Sequence, residues 1–388
     1  MTNNYTLIQT IFLALSFLFV FLFFAYFFLA FLGSKCKKKT VTVVFVLFVL
    51  GLSIMAYLFV PDETYDLYRH FLYMEEIQKS GYSLGDLFKQ AFSRNQEVGR
   101  YPTLITFNLL RDVLVQTSNN HLLPFVCTGI SYSIFAYISL NWFNKNNLSY
   151  KKIILATFVM FSLLPIIMIV SGIRNGTSFS LVALAIYKWL YQKKNIILFI
   201  FLSLIAIFMH TSAIIPVLLA IISRFLKGLK GIVIIVVAFL LLTAIMNIAV
   251  NSNIPLVKEV AERFIYFNDD YKYSGEMVSY ICCLITCVIC FVSFLLNANL
   301  KSLTTFDNFI LMYLLVLILS VFLNSTAFMT RLCYLIAYFS PIIVFPYATK
   351  KKNHLKQSGL CVLFETSLFL VSAVSVFYYI IPFLAALY

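Results

Sequence analysis

From Ile8 to Leu32 the chain runs 25 residues without a charged side chain. About 20 apolar residues in a helix suffice to cross a bilayer core, and lipid offers no hydrogen-bond partner to any other open backbone form. Comparable runs recur along the chain: Val41–Val60, His121–Phe143, Ile153–Gly172, Thr177–Tyr191, Asn195–His210 and Thr211–Phe225 in the first part, then Gly231–Val250, Met277–Ala298, Phe309–Asn324, Thr330–Ala348 and Leu360–Leu387. Together they predict about twelve spans. The composition agrees: 62% of the 388 residues are hydrophobic, 11% are charged, and the mean hydropathy is +0.94. Soluble chains carry roughly 45–50% apolar and 25% charged residues. A soluble enzyme, a DNA-binding protein and a secreted disulfide scaffold are excluded. The expected fold is an all-α polytopic membrane protein, a single transmembrane domain over residues 1–388 with interfacial helices on the outer face.

The net charge of +14 is not a nucleic-acid signal, because the excess falls in short clusters between apolar runs. These are Lys35/Lys37/Lys38/Lys39, Lys145/Lys151/Lys152, Lys193/Lys194, Arg224/Lys227/Lys230 and Lys350/Lys351/Lys352/Lys356. The positive-inside rule puts all five on the cytoplasmic side. That is consistent only if Tyr101–Thr117, with Arg111 and Asp112 in its middle, does not cross; it reads as an interfacial or re-entrant helix. Both termini then face outward. Met1–Tyr5 has no basic n-region and the apolar run behind it is too long for an h-region, so the first helix is expected to stay. Cys282, Cys283, Cys287 and Cys290 share one apolar helix with no His or carboxylate in register, and read as small buried hydrophobes.

Two outer-face segments follow, 61–120 and 251–276. Pro61–Pro102 holds seven acids and five bases, and Asn251–Glu276 five acids and three bases. Tyr65, Tyr68, Phe71 and Leu72 stand at roughly helical spacing, which predicts an amphipathic helix on the interface.

Candidate chemistry gathers at that face. Arg174 in Ser171-Gly172-Ile173-Arg174-Asn175-Gly176, Arg331 in Asn324–Arg331, and His210 in Phe208-Met209-His210-Thr211-Ser212 each lie in a predicted short outer turn. Snorkelling to lipid phosphates explains the arginines blandly, and a helix end explains the histidine. The sharper reading is an anion site, because a guanidinium is a planar fork matched to phosphate oxygens and keeps its charge at any working pH. Two on one face suit a pyrophosphate. In Pro61-Asp62-Glu63-Thr64-Tyr65-Asp66-Leu67-Tyr68-Arg69-His70, Asp62, Asp66 and Arg69 fall on one helical face, with Tyr65 and Glu63 beside it. A carboxylate there suits a general base toward a hydroxyl, and tyrosines suit sugar rings. The bland alternative is a helix start, with Asp62 as N-cap and Asp66 and His70 as an i,i+4 pair. Asp269 and Asp270 form a third acidic candidate, as substrate ligands or half of a metal site with nothing to complete it. No phosphate-cradling glycine motif occurs, so ATP-driven transport and dinucleotide chemistry lack support.

In order and spacing, Asp66-x-Tyr68 after the second span, Ser171-Gly172-Ile173-Arg174, Met209-His210-Thr211-Ser212 and Arg331-Leu332-x-Tyr334 resemble the EpsG-like group of bacterial exopolysaccharide proteins, related to Wzy-type capsule and O-antigen polymerases. The resemblance implies a C-type glycosyltransferase-like fold in the bacterial cytoplasmic (inner) membrane, with the active site facing outward. It implies a polymerase that moves a growing glycan from undecaprenyl pyrophosphate to a lipid-linked repeat unit. Arg174 and Arg331 would bind the pyrophosphate without a metal, and His210 or Asp66 would take the acceptor proton. Tyr65, Arg69, Asp269, Asp270 and Tyr334 would bind substrate. No cofactor is implied; the partners are the lipid-linked oligosaccharide, the bilayer and a chain-length regulator protein. Alternatives are a polyprenyl-monophosphate-sugar transferase with Asp62 or Asp66 as base, a lipid-linked oligosaccharide flippase or exporter, and a membrane O-acyltransferase. A transporter should carry mid-span charges and repeated halves, whereas here the ionisable residues cluster at one face, no repeat is seen, and Glu365, about six residues into the last span, is the main exception.

Overall fold

The computed structural model describes residues 7–32, 36–91, 103–226, 229–241, 248–253, 257–258, 261–262, 277–297, 303–320, 326–344 and 356–387. Among them every regular element is helical. Four stretches are long and apolar enough to cross a bilayer by themselves: Leu7–Ala30 in α1 (Leu7–Phe31), α2 (Lys38–Leu58), α6 (Leu122–Lys145) and Glu365–Ala385 in the last helix. Between α2 and α6 lie α3 (Asp66–Ser80), α4 (Leu84–Ala91) and α5 (Ile105–Val115).

The predicted span Ile153–Gly172 is broken. It forms α7 (Ile153–Leu163) and α8 (Ile166–Ser171), because Pro165 has no N–H and forbids helical geometry to Leu164, whose φ and ψ are −142° and 80°. The break frees the carbonyl of Ser162. Ser375 Oγ donates to it at 3.2 Å and Cys283 Sγ reaches it at 3.9 Å. After Gly172 the chain enters α9 (Ile173–Ile186), continues into a π-helical turn (Tyr187–Tyr191), and returns as α10 (Ile196–Met209), α11 (Ile214–Phe225) and α12 (Leu229–Leu240). The remaining helices are α13 (Met277–Asn297), α14 (Thr305–Ser320), α15 (Thr326–Tyr338), α16 (Ser340–Val344) and α17 (Lys356–Ala385).

Contacts between distant segments sort the bundle into two ends. At one end, Lys152 pairs with Glu365, Lys145 Nζ sits 5.1 Å from the Tyr191 ring centroid, and the Arg224 guanidinium lies 5.8 Å from that of Trp189. Members of two expected clusters, Lys145 with Lys152 and Arg224, therefore meet there beside the turn that leads into a third, Lys193/Lys194, and Glu365 finds its partner among them. At the other end, the Val60 N–H donates to the Ala386 carbonyl at 3.1 Å, Phe59 stacks on Phe383 at 5.6 Å, and Asn119 Nδ2 donates to the Tyr57 hydroxyl at 2.8 Å. The cysteines of α13 are buried as expected.

α5, expected as an interfacial or re-entrant helix, turns its charged pair inward. Phe107, Asn108, Arg111, Asp112 and Val115 form its buried face, while Val113 points outward at 54% exposure. α3 differs too. Its buried stripe is Leu67, His70 and Met74, and Leu72 is exposed.

α1 packs along α2 through a close approach at Gly51. A Cβ there would stand 2.9 Å from the Ser16 carbonyl oxygen and 3.0 Å from Phe19 Cβ. Overpacking of this kind costs about 1–3 kcal/mol. Gly51→Val is expected to lower the thermal midpoint of the detergent-solubilised protein by several degrees, with Gly51→Ala between it and the wild type; an unchanged midpoint in both would refute the tight α1–α2 seam.

Candidate functional site

The end opposite the lysines holds a charged cluster built by α3, α5 and α9. α3 begins at Asp66, so Asp62 does not share its helical face, contrary to expectation. Asp62 lies in the preceding turn, where its Oδ1 accepts the Thr64 N–H at 2.8 Å and the Thr64 hydroxyl. Asp66 is the first helical residue, and its negative charge suits that end of the helix dipole.

Asp66 Oδ2 receives two groups. Arg174 Nη2, from the second residue of α9, donates to it at 2.7 Å, and His70 Nε2 lies 3.3 Å away, one turn along α3. Asp66 keeps 31% of its side-chain exposure, Arg174 12% and His70 none. Phe107 of α5 supplies the floor. Its ring centroid is 4.8 Å from the His70 ring centroid, 5.7 Å from the Arg174 guanidinium carbon and 5.9 Å from that of Arg111. Two guanidinium groups and an imidazole thus surround one aromatic ring, an arrangement favoured by the ring's quadrupole. Arg111 and Asp112 are fully buried neighbours, with Nε and Oδ1 4.0 Å apart.

Burial alone would push the Asp66 carboxyl up, but the His70 hydrogen bond and the Arg174 charge outweigh it and hold the group well below the usual carboxylate range. For His70 burial prevails: it lowers the ring to about 4, with Arg174 and Arg111 adding to the fall and Asp66 opposing it. His70 is therefore neutral at physiological pH and Asp66 is ionised. Tyr65, packed on Phe59 at 5.5 Å, keeps its phenol proton, since burial and then the Asp62 charge push it up.

The other predicted site residues are distributed around this cluster. Ser178, one turn after Arg174 on α9, donates from Oγ to the Ala206 carbonyl at 2.8 Å, with the His210 carbonyl 3.5 Å away. His210 ends α10 as expected. Its Nδ1 accepts the Ser212 N–H at 3.2 Å and lies 2.6 Å from Ser212 Oγ, so the neutral ring carries its proton on Nε2. Arg331 sits inside α15 rather than in a turn. It opens a stripe with Tyr334 and Tyr338 at i, i+3 and i+7. That stripe faces α9: the Tyr334 ring is edge-on to Phe179 at 5.9 Å, and the Tyr338 hydroxyl donates to the Gly176 carbonyl at 3.0 Å. Arg69 is exposed on α3, away from its buried stripe. Asp269 and Asp270 lie outside the described residues. Among the described residues no three His, Cys, Asp or Glu side chains converge as metal ligands.

A family model matches residues 68–385, which takes in α3 through α17 except for Asp66 and Leu67 at the start of α3. The chain belongs to the EpsG family. No curated protein and no solved structure matches it. Within this EpsG-family chain His70, Phe107, Arg111, Arg174, His210 and Arg331 all lie inside the matched region, whereas Asp66 precedes it by two residues.

Sequence reasoning missed Phe107, Arg111 and Asp112 as parts of the site and saw His70 only as a helix-start partner. The available signal was Arg111-Asp112 within an apolar stretch, with Phe107 one turn before Arg111.

Folded His70 takes its proton only near pH 4, whereas an unfolded histidine does so near its ordinary 6.5. Between these values the unfolded state binds more protons. The contribution to stability is full above pH 6.5 and declines as pH falls toward 4, by on the order of 2 kcal/mol at pH 5. His70→Gln is expected to flatten that part of the profile in thermal unfolding at pH 7 and pH 5. An equal loss in variant and wild type would show that His70 is not the buried neutral group.

Proposed function

We propose that this protein is a polysaccharide polymerase that transfers a growing glycan from undecaprenyl pyrophosphate to a sugar hydroxyl of an incoming lipid-linked repeat unit. In this reading it works at the outer face of the bacterial cytoplasmic membrane, in a C-type glycosyltransferase-like arrangement of roughly twelve spans. EpsG-family membership indicates a polysaccharide-polymerase-like role in the membrane. The observation that supports the finer reading is the 2.7 Å contact of Arg174 with Asp66, which puts an anion-binding fork beside a carboxylate at the end of the bundle opposite Lys145 and Lys152.

Glycosyl transfer to a hydroxyl needs a stabilised leaving group and a proton acceptor. The acceptor oxygen bonds to the anomeric carbon as the bond to the pyrophosphate oxygen breaks. The electron pair leaves on the pyrophosphate, beside Arg174 and, in this reading, Arg331. The hydroxyl proton goes to Asp66. Both Arg174 and His70 address Oδ2, and Oδ1 takes neither contact. With Arg174 in place Asp66 is a weak base. When the guanidinium turns to the arriving pyrophosphate, the carboxylate loses its strongest neighbouring charge and gains proton affinity. Asp66 is favoured over His210 as base because the Nδ1 lone pair of His210 already accepts the Ser212 N–H.

The test is a product gel from purified protein in liposomes containing undecaprenyl-pyrophosphate-linked repeat units, with EDTA present. A ladder spaced by whole repeats is expected. A shift of one sugar, appearing only with a polyprenyl monophosphate sugar and Mg²⁺, would replace the reading with a single-sugar transferase. Unchanged substrate in both would remove the enzyme reading.

Arg174→Lys is expected to cut the ladder-forming rate by on the order of 10²–10³, because a point charge cannot reproduce the fork. Asp66→Asn should abolish extension yet retain binding of the lipid pyrophosphate, since it removes the group that competes for Arg174. Full activity in Arg174→Lys would sink the pyrophosphate assignment.

A further inference from the structure

At the lysine-bearing end, α6 and the π-helical turn after α9 build a second polar group with no role in the chemistry above. Lys188 Nζ contacts the Tyr137 hydroxyl and lies 4.4 Å from that ring's centroid. Gln192 Nε2 donates to the Tyr137 hydroxyl at 3.0 Å and to Asn141 Oδ1 at 2.9 Å, and the Tyr187 hydroxyl donates to the same Oδ1 at 2.8 Å. Tyr187 stacks on Tyr191 at 4.9 Å, over which Lys145 Nζ sits at 5.1 Å. Lys193 adopts a positive φ of 54°, and the chain curls back so that the Lys194 N–H donates to the Lys188 carbonyl at 2.9 Å.

Lys145, Lys188, Lys193 and Lys194 are thereby gathered around the ends of two helices. Among the described residues none of them forms an ion pair. Asp307, whose charge reaches Tyr191, is held by the Thr304 hydroxyl at 2.8 Å and the Thr304 N–H at 3.3 Å. Lys188 is half-buried and fixed by neutral partners rather than extended into water. A cation held this way gains most from an incoming anion, because part of its hydration is already lost. Beside it, starting at the first residue of α10, Ile196, Ile197, Ile200, Phe201 and Leu204 are exposed, an apolar face leading from the lysines along the bundle.

We propose that this end of α6 and the π-helical turn bind the phosphate of an anionic phospholipid, with Lys188 and Lys145 as the cations and the acyl chains along the exposed face of α10. A soluble acidic peptide fits less well, since the apolar face beside the lysines belongs to a helix of the membrane bundle. Basic pockets between membrane helices suit such headgroups.

Trp142, 5.1 Å from the Tyr191 ring, is a reporter inside this group. Trp142 and Trp189 are the chain's two tryptophans, so Trp189→Phe isolates it. This variant is reconstituted in phosphatidylcholine vesicles doped with brominated phosphatidylglycerol or, at equal fraction, brominated phosphatidylcholine. The expected result is saturable quenching of Trp142 by the anionic lipid, several-fold above that by the zwitterionic one, and loss of that preference in Lys145→Gln/Lys188→Gln. Should the double variant not fold, Lys145→Gln alone, at an exposed position, is expected to weaken the preference at least two-fold. Equal quenching by the two lipids, or a preference unaffected by the lysine variants, would overturn the proposal. In undoped vesicles, millimolar inorganic phosphate is expected to leave Trp142 emission unchanged; a saturable response, lost in the lysine variants, would reassign the site to soluble phosphate and also overturn it.

Discussion

Asp66 and Arg174 stand 108 positions apart in the chain, and the bond between them ties the first residue of α3 to the second of α9. An exposed ion pair of this kind contributes little. Here the arginine is mostly enclosed, the histidine beside it is wholly enclosed, and α5 closes the cluster from below with Phe107. Loss of either charge would leave the other in a poor solvent. The pair joins the start of α3 to the α8–α9 junction over the buried face of α5.

The two ends of the bundle solve different electrostatic problems. At the lysine end the charges are spread over helix termini, and the aromatic rings of Trp142, Tyr191 and Trp189 lie among them. At the opposite end the charges are concentrated, mixed in sign and drawn inward. α5 makes the contrast plain: it turns Arg111 and Asp112 toward protein and Val113 outward, the reverse of a helix packed in water.

Much of this architecture could be read from the residues. Lysine clusters punctuating apolar runs gave helix positions, and the structure brings members of two clusters to one end. Arg174 and the end of α10 at His210 were legible as polar exceptions in apolar surroundings, and Asp66 as one carboxylate of the acidic stretch after the second span. What could not be read was contact. Hydropathy reports how apolar a stretch is and not which face it buries, so Arg111 and Asp112 argued against a crossing helix without showing that they face protein. Helical periodicity placed Asp62 on a face with Asp66, but its side chain closes a turn on Thr64 before the helix begins. Apolar content ran through Leu164-Pro165 without interruption, and only the missing proline N–H divides that span. Arg331 looked like a turn residue because its helix starts five residues before it, at Thr326, among residues of mixed polarity.

The division at Pro165 also sets a height. α7 has 11 residues and α8 six, so at about 1.5 Å per residue the two helical pieces supply about 25 Å of rise between Lys152 and Gly172, and the extended Leu164–Pro165 step adds to it. A hydrocarbon core is about 30 Å thick. In the proposed reading Arg174, two residues past Gly172, belongs near one edge of that core, and the freed Ser162 carbonyl, bonded to α17 and approached by α13, ties the broken span to two other helices. A reactant carried on a lipid reaches that level by lateral diffusion. Its encounter rate is then governed by its number per area of membrane, and dilution of the surrounding medium leaves that number unchanged.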